Sequence, residues 1–217
     1  MAKPVDPALR QRLIEASARE FAAVGFAGAN LSRIGSLAGV TKGGVYFHFR
    51  SKEELFYAAV EYWRTALREL VTPGGEPTTL REFLVGYLDF HFRHPEAGGL
   101  LRVLASEMRG RFTTQVREDH QAALRGVRQR IRELLMQGTH DGSLFTTDPA
   151  LATFVIAATV EGVLALVHSS PQDAEPFRHP ESVVDFSLAP YETSPDAPSS
   201  RPPAPGQSEG VDFLPPL

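Results

Sequence analysis

At 217 residues the chain has room for one compact body and a smaller module, and 42% hydrophobic with 22% charged residues excludes a wholly disordered chain. The absence of cysteine removes disulfides, thiolate zinc sites and cysteine nucleophiles. A net charge of −4 speaks mildly against a nucleic-acid partner if it is spread evenly, but it is not: Ala29 through Lys52 holds no acid and carries Arg33, Lys42, Arg50 and Lys52. The opening Met1-Ala-Lys-Pro-Val-Asp-Pro lacks the basic and apolar runs of a secretory signal, so a cytoplasmic location is expected.

From Pro7 to Val24 the apolar residues Leu9, Leu13, Ile14, Ala18, Phe21 and Val24 recur at three and four, which predicts an amphipathic helix stopped by Gly25. Asn30 is a good N-cap for a short helix from Leu31 to Ala38, burying Leu31, Ile34 and Leu37, with Gly39 as its stop. A third short helix is expected from Thr41 to about His48. Ser51 and Glu54 form a capping-box pair opening a fourth, striped by Phe56, Val60, Trp63, Leu67 and Leu70. After Thr72-Pro-Gly-Gly the helical period returns in Leu80 to Phe92, Ala97 to Met108, Phe112 to Met136 and Pro149 to His168, broken at Pro95, Gly110 and Gly138 to Gly142. A last helix, Glu181 to Leu188, looks cut short at Pro190. No stretch alternates with period two, so the fold class is all-α. Tyr191 to Leu217 holds seven of the seventeen prolines and reads as a disordered tail. The expected division is 6–66, 67–189 and a 190–217 tail.

Residues 30 to 49 give helix, glycine turn and helix in the compass of a helix-turn-helix. Ile34, Leu37, Ala38, Val40, Val45 and Phe49 would form its small core, leaving Thr41, Lys42, Gly43, Gly44, Tyr46 and His48 outside. Gly43 and Gly44 are poor helix formers, and a DNA backbone or base edge approaching closely would explain both. Each residue has a plainer reading: Tyr46 as a half-buried core aromatic, His48 as a surface residue, Lys52 as a solvated helix-start lysine.

This stretch resembles the TetR family of bacterial transcriptional regulators, through Ala38-Gly39-Val40-Thr41-Lys42-Gly43, Val45-Tyr46-Phe47-His48-Phe49 and Ser51-Lys52-Glu53-Glu54-Leu55. The resemblance implies a three-helix DNA-binding domain, a larger helical domain that binds a small molecule and dimerises, and repression relieved by that molecule. It places Thr41, Lys42 and Gly43 at the start of the recognition helix, Tyr46 and His48 where phosphates or bases are reached, and Lys52 on a phosphate. The sequence departs from the family at Ala29, often a hydroxyl residue, at Gly35, usually alanine, and at Arg33, where an acid is common and a second phosphate-facing cation is expected. The partners it implies are an operator and a second copy of the chain.

In the larger domain Trp63, Leu67, Phe83, Tyr87, Phe90, Leu104, Met108, Phe112, Leu124 and Phe154 lie on apolar stripes, which read either as core or as the lining of an effector cavity. Arg102, Arg109 and Arg111 could pair with phosphate or carboxylate, or stand solvated. The run from Leu101 to Val167 is similar to acyl-CoA-responsive regulators of the family, which would place an acyl chain among the aromatics and its phosphates near the arginines. Ala150 to Val167 carries only Glu161 as a charge; its length approaches a membrane span, but a dimer interface of Phe154, Ala158, Glu161, Leu164 and Val167 is the expected use. His91 and His94 are three apart without an evident third ligand, so no metal or other cofactor is expected. Gly-x-Ser-x-Gly, a phosphate loop and His-Glu-x-x-His are absent, against an enzyme. A helical adaptor without operator binding is the alternative.

Overall fold

Asp6 starts the first helix by accepting a hydrogen bond from the Ala8 amide at 2.9 Å, and Pro7 takes the first helical position, where an N–H would be unsatisfied anyway. The computed structural model describes residues 6–71, 79–106, 114–169, 172 and 179–192. Among these residues the elements are α1 (Pro7–Gly28), α2 (Leu31–Leu37), α3 (Lys42–His48), α4 (Lys52–Val71), α5 (Leu80–Arg93), α6 (Pro95–Ser106), α7 (Thr114–Asp141), α8 (Pro149–Ser169) and α9 (Pro180–Leu188), with a 3-10 turn at Ala189–Tyr191. The expected all-α class is the observed one.

Gly25 takes φ +76°, a left-handed conformation open to glycine, so the regular part of α1 ends there and one more turn carries the chain to Gly28. Ser51 accepts from the Glu54 amide at 3.1 Å, as a capping box requires, but the Glu54 carboxylate caps the Arg50 amide at 2.7 Å. Thr79 and Glu82 complete the reciprocal box at the start of α5, each bond 3.2 Å. At the far end of α7 the break comes later than expected. Gly138 is helical and lies where a Cβ would stand 2.7 Å from Leu144 Cδ1, so it makes room for the next loop; the stop is Gly142, at φ +83°.

Two cores form. In the first, Phe56 meets Phe21 and Phe26 edge-on at 5.1 and 5.6 Å, surrounded by Leu13, Ile34, Val45, Phe49 and Leu55. Leu100, Val103 and Leu104 of α6 belong to this same core. The second core joins α5, α7, α8 and α9 through Leu84, Leu88, Ile131, Leu135, Ile156, Val160, Val184 and Leu188. Arg81 clamps α5 to α9 with a forked pair of bonds to Asp185, 2.7 and 3.2 Å. The expected boundary at 66/67 falls inside α4, a single helix with Leu55 in the first core and Leu67 against the second.

Helix α6 wedges between the halves. Gly99 lies so close to α1 that a Cβ would stand 2.6 Å from Ala22 Cβ, while a Cβ on Gly98 would meet the His168 ring of α8 at 2.3 Å. The fold also extends past its expected end: Leu188 is buried, Tyr191 packs on the second core, and Phe145 N–H donates to the Tyr191 carbonyl at 2.6 Å beside a bridge between Leu144 and Glu192. The tail expected beyond that point lies outside the described residues.

Helix α8 is long and apolar enough to cross a membrane, yet Ala152, Ile156, Val160, Leu164 and Val167 pack inside the protein. That corrects two of the expected interface residues. Leu164 and Val167 serve this chain's own interior, whereas Phe154, 67% exposed, and Ala158 and Glu161 lie on the outer face. Glu161 there stands 3.7 Å from Arg128 of α7.

Candidate nucleic-acid interface and sensor cavity

The α2–α3 unit is assembled from short-range signals. Asn30 Oδ1 caps α2 by accepting from the Ser32 and Arg33 amides at 2.8 and 3.4 Å. Gly39, at φ +79°, turns the chain, and Val40 N–H returns to the Gly35 carbonyl at 2.8 Å. A Cβ on Gly35 would stand 2.8 Å from the Val40 carbonyl oxygen, so the glycine at this unusual position lets the turn sit tightly on α2. Thr41 Oγ1 then caps α3 through the Gly44 amide at 3.3 Å. Ile34, Ala38, Val45 and Phe49 are buried as expected. Leu37 is not: it is 62% exposed, because Ile34, Gly35 and Ala38 make the inward face of this end of α2 and leave Ser36 and Leu37 in water.

The eight expected DNA-facing residues divide three ways. Thr41, Lys42, Gly43 and Tyr46 are exposed on α3, with Lys42 Nζ 5.9 Å from the Tyr46 ring centre. Arg33 and Lys52 are engaged inside the chain. Arg33 Nε pairs at 3.0 Å with Glu20, a buried carboxylate that also accepts from the Asn30 amide, so its charge serves the fold rather than standing as a free second cation. Lys52 Nζ donates to the Ala27 carbonyl at 3.3 Å and lies 4.9 Å from the Phe26 ring centre. Gly44 and His48 are half-buried. Gly44 has a packing reason, since its Cβ would stand 2.9 Å from Val40 Cβ, and only Gly43 leaves the helix surface open. His48 rests against Phe47 at 5.3 Å, its Nδ1 buried without a partner.

Two residues missing from the expected set share this surface. Phe47 is 52% exposed beside Tyr46, and Arg50 is exposed just beyond the helix. A solvent-facing phenylalanine in a helix whose core positions are already filled was the signal for the first.

A cavity of about 20 Å³, room for one water, lies between α4, α5 and α6. Trp63, Leu67 and Phe90 border it, as the apolar stripes allowed; Val60, Arg64, His91, Ala97, Leu100 and Leu101, not expected there, complete the wall. His91 is 2% exposed, and its Nδ1 lies 2.9 Å from the Tyr87 carbonyl. Burial pushes its pKa down to about 4 and raises the Tyr87 hydroxyl well above its ordinary value. His94 lies tilted against Trp63, ring centres 4.6 Å apart. Among the described residues no cluster of three metal-ligating side chains forms.

The other expected effector residues go elsewhere. Phe83 and Tyr87 are packed in the second core, Leu124 is half-buried on α7, and Phe154 faces outward. Arg102 donates to the Ala22 carbonyl of α1 at 3.4 Å, which makes it a strut between α6 and α1. Met108, Arg109, Arg111 and Phe112 lie outside the described residues.

An acid-free helix-turn-helix seated on one core, and coupled by α4 and α6 to a second helical core, defines a helix-turn-helix regulator. Residues 13–59 match the bacterial regulatory proteins of the tetR family, and residues 78–193 match the C-terminal domain of AefR-like transcriptional repressors. The chain belongs to the TetR family. The transcriptional repressor SCO4008 of Streptomyces coelicolor is 35% identical over 100 residues, 46% of this chain and 50% of that protein. The chain spans about half the length of the curated relatives it matches. Among solved structures, a TetR regulator from Chloroflexus aurantiacus superposes with TM-score 0.65 at 26% identity, covering 86% of this chain and 97% of its own. SmeT, the repressor of the Stenotrophomonas maltophilia multidrug efflux pump SmeDEF, gives 0.62 at 26% identity, covering 86% and 91%.

Proposed function

We propose that this protein is a cytoplasmic transcriptional repressor that binds a near-palindromic operator as a homodimer and leaves it when a small apolar molecule enters the cavity between α4, α5 and α6. The observation that carries the reading is the surface of α3: Lys42, Gly43 and Tyr46 stand exposed in a segment free of acids, and among the described residues Lys42 and Arg50 make no ion pair. Two such helices would enter successive major grooves ~34 Å apart, base edges reached from Thr41 and Lys42 and phosphates from Tyr46 and Arg50. His48 and Lys52 would hold the ends of α3 and α4 in place and reach phosphates only at their rims.

The dimer reading rests on the outer face of α8, where Leu151, Phe154, Val155 and Leu166 are exposed, together with Phe186 of α9, 85% exposed. A second copy covering that patch takes it out of water. The effector reading rests on the position of the cavity. Anything filling it presses on α4 and α6, both of which pack on α1, and α1 carries the helix-turn-helix. That gives two distinct sites with one mechanical link, which is what allostery needs. A structure of the relative SmeT, 25% identical with TM-score 0.64 over 87% of this chain and 93% of its own, is a complex with triclosan, and this supports a small apolar effector. A long-chain acyl-CoA is the finer alternative, its chain entering beside Trp63, Leu67 and Phe90.

Selection of bound DNA from a genomic pool by the purified protein tests the reading, with retention compared at low and high salt. Enrichment of one palindromic site, weakened by salt, is the expected result. An intact dimer that enriches no site would replace the repressor with a helical adaptor.

A further inference from the structure

The side chains of α3 sort by their position around the helix. At 3.6 residues per turn Lys42, Gly43, Tyr46 and Phe47 fall on one arc of about 140°, and all four are exposed, whereas Gly44, Val45 and His48 on the remaining arc are buried or half-buried. Gly43 stands between Tyr46, three positions on, and Phe47, four positions on, the two spacings that bring side chains together on a helix surface. Helical side chains lean back over the preceding turn, so the two rings flank the place where Gly43 has no side chain. Beyond its chain neighbours and the helix backbone, an added Cβ on Gly43 would find only Thr41 Oγ1 within 4 Å among the described residues, at 3.7 Å. The result is an open notch with aromatic sides. Both sides are steadied: the Phe47 ring meets His48 edge-on at 5.3 Å, and Lys42 Nζ lies 5.9 Å from the Tyr46 ring centre.

We infer that this notch reads a thymine, whose 5-methyl group enters between Tyr46 and Phe47 over the Gly43 Cα, so that Gly43 and Phe47 help to set operator specificity. The inference rests on the regulator reading above and names a base that each operator half-site contains. The surface around the notch is free of acids and carries Lys42 and Arg50, which fits a polyanion and commits the occupant to nucleic acid. Phe47 has neither donor nor acceptor, so it can bond no phosphate and no base edge, and its favourable contact with a duplex is apolar. The thymine methyl is the apolar group that the unmodified bases present in the major groove. Gly43 lets that methyl come up to the helix backbone, where any side chain would hold it off. A contact of Phe47 with deoxyribose at the groove rim would carry no base information, and this separates the two uses of the ring by experiment.

The probe is the duplex that the full-length protein selects from a genomic pool, with each thymine of a half-site replaced in turn by deoxyuridine, symmetrically in both half-sites. That change removes the methyl and keeps every hydrogen-bonding group of the base. At one position uracil should weaken binding by about fourfold per half-site, the ratio that one buried methyl produces. Phe47→Ala should remove most of the discrimination between thymine and uracil at that position. Gly43→Ala fills the notch from the protein side, so thymine should lose its advantage there or fall behind uracil. Both residues are exposed, and neither variant should lower the melting temperature, which separates recognition from folding. A half-site with no methyl-sensitive thymine, or a methyl effect that survives both variants, overturns the proposal and keeps the regulator. A folded protein that enriches no site overturns both.

Discussion

The α3 surface and the α4–α6 cavity break the ordinary rules of packing in opposite directions. On α3, Tyr46 and Phe47 stand about half exposed to water although the core beside them has its own apolar residues. Beside the cavity, Trp63 and Arg64 hide N–H groups from water and give them nothing to bond. The first leaves apolar surface in water and the second leaves polar atoms without water. Under the proposed function the difference is one of partner size, a duplex met at the surface and a small molecule enclosed within.

The sharpest test of how far the two halves are separate is Phe56→Ala. The ring is fully buried against Phe21 and Phe26, so its loss should cost ~3–5 kcal/mol in urea unfolding. If α6 ties the cores together, one transition shifts as a whole; two transitions, with only the first shifted, would mean that the cores unfold separately. Acid tests the cavity side. His91 titrates near 4 when folded and near its ordinary 6.5 when unfolded, so the unfolded chain takes the proton first as pH falls. Its contribution is full above pH 6.5 and declines by about 3 kcal/mol on the way down to pH 4. His91→Gln should flatten that part of the stability profile, and an unchanged slope would mean that the ring is solvated.

A methyl group at the junction gives a smaller effect. Gly99→Ala forces α6 and α1 apart and should cost ~1–3 kcal/mol by thermal melting, with a measurable change in operator affinity. Stability lost with operator affinity untouched would break the proposed link. Smallest are two single cations on the DNA-binding half. Arg50→Ala should leave the melting temperature alone and lower the slope of log affinity against log salt by about 0.9 per subunit. Arg33→Ala should do the reverse, losing about 1 kcal/mol through Glu20 with little change in slope, since the arginine is largely exposed and its pairing is screened.

The DNA-binding unit was legible in the sequence because its signals are local. Asn30, Gly39 and Thr41 each act within four residues of themselves, and each caps or turns the chain where expected. What failed there depended on neighbours far along the chain. Arg33 turns to Glu20, thirteen positions away, and Lys52 to Ala27, twenty-five away; Gly44 is the local exception, answering to Val40 four positions before it. The cavity was legible only as apolar stripes. Trp63, Leu67 and Phe90 came from periodicity, but nothing in that pattern distinguishes them from Phe83 and Tyr87, which the crossing of α5 with its neighbours sends into the second core. Arg64 and His91 look like an ordinary surface cation and a spare histidine until three helices meet around them. Leu164 and Val167 were misplaced for a related reason: a helix apolar on nearly every side does not declare which side its own chain will cover.

The membership of Leu100, Val103 and Leu104 in the first core sets a rule for recombining such proteins. A chimaera that grafts residues 1–66 onto a foreign sensor would cut the chain between its two sequence modules and yet strip the DNA-binding half of three of its own packing residues. The module that can be transplanted whole is discontinuous, α1 to α4 together with α6, and a workable graft must either carry α6 along or rebuild its face against Ala22.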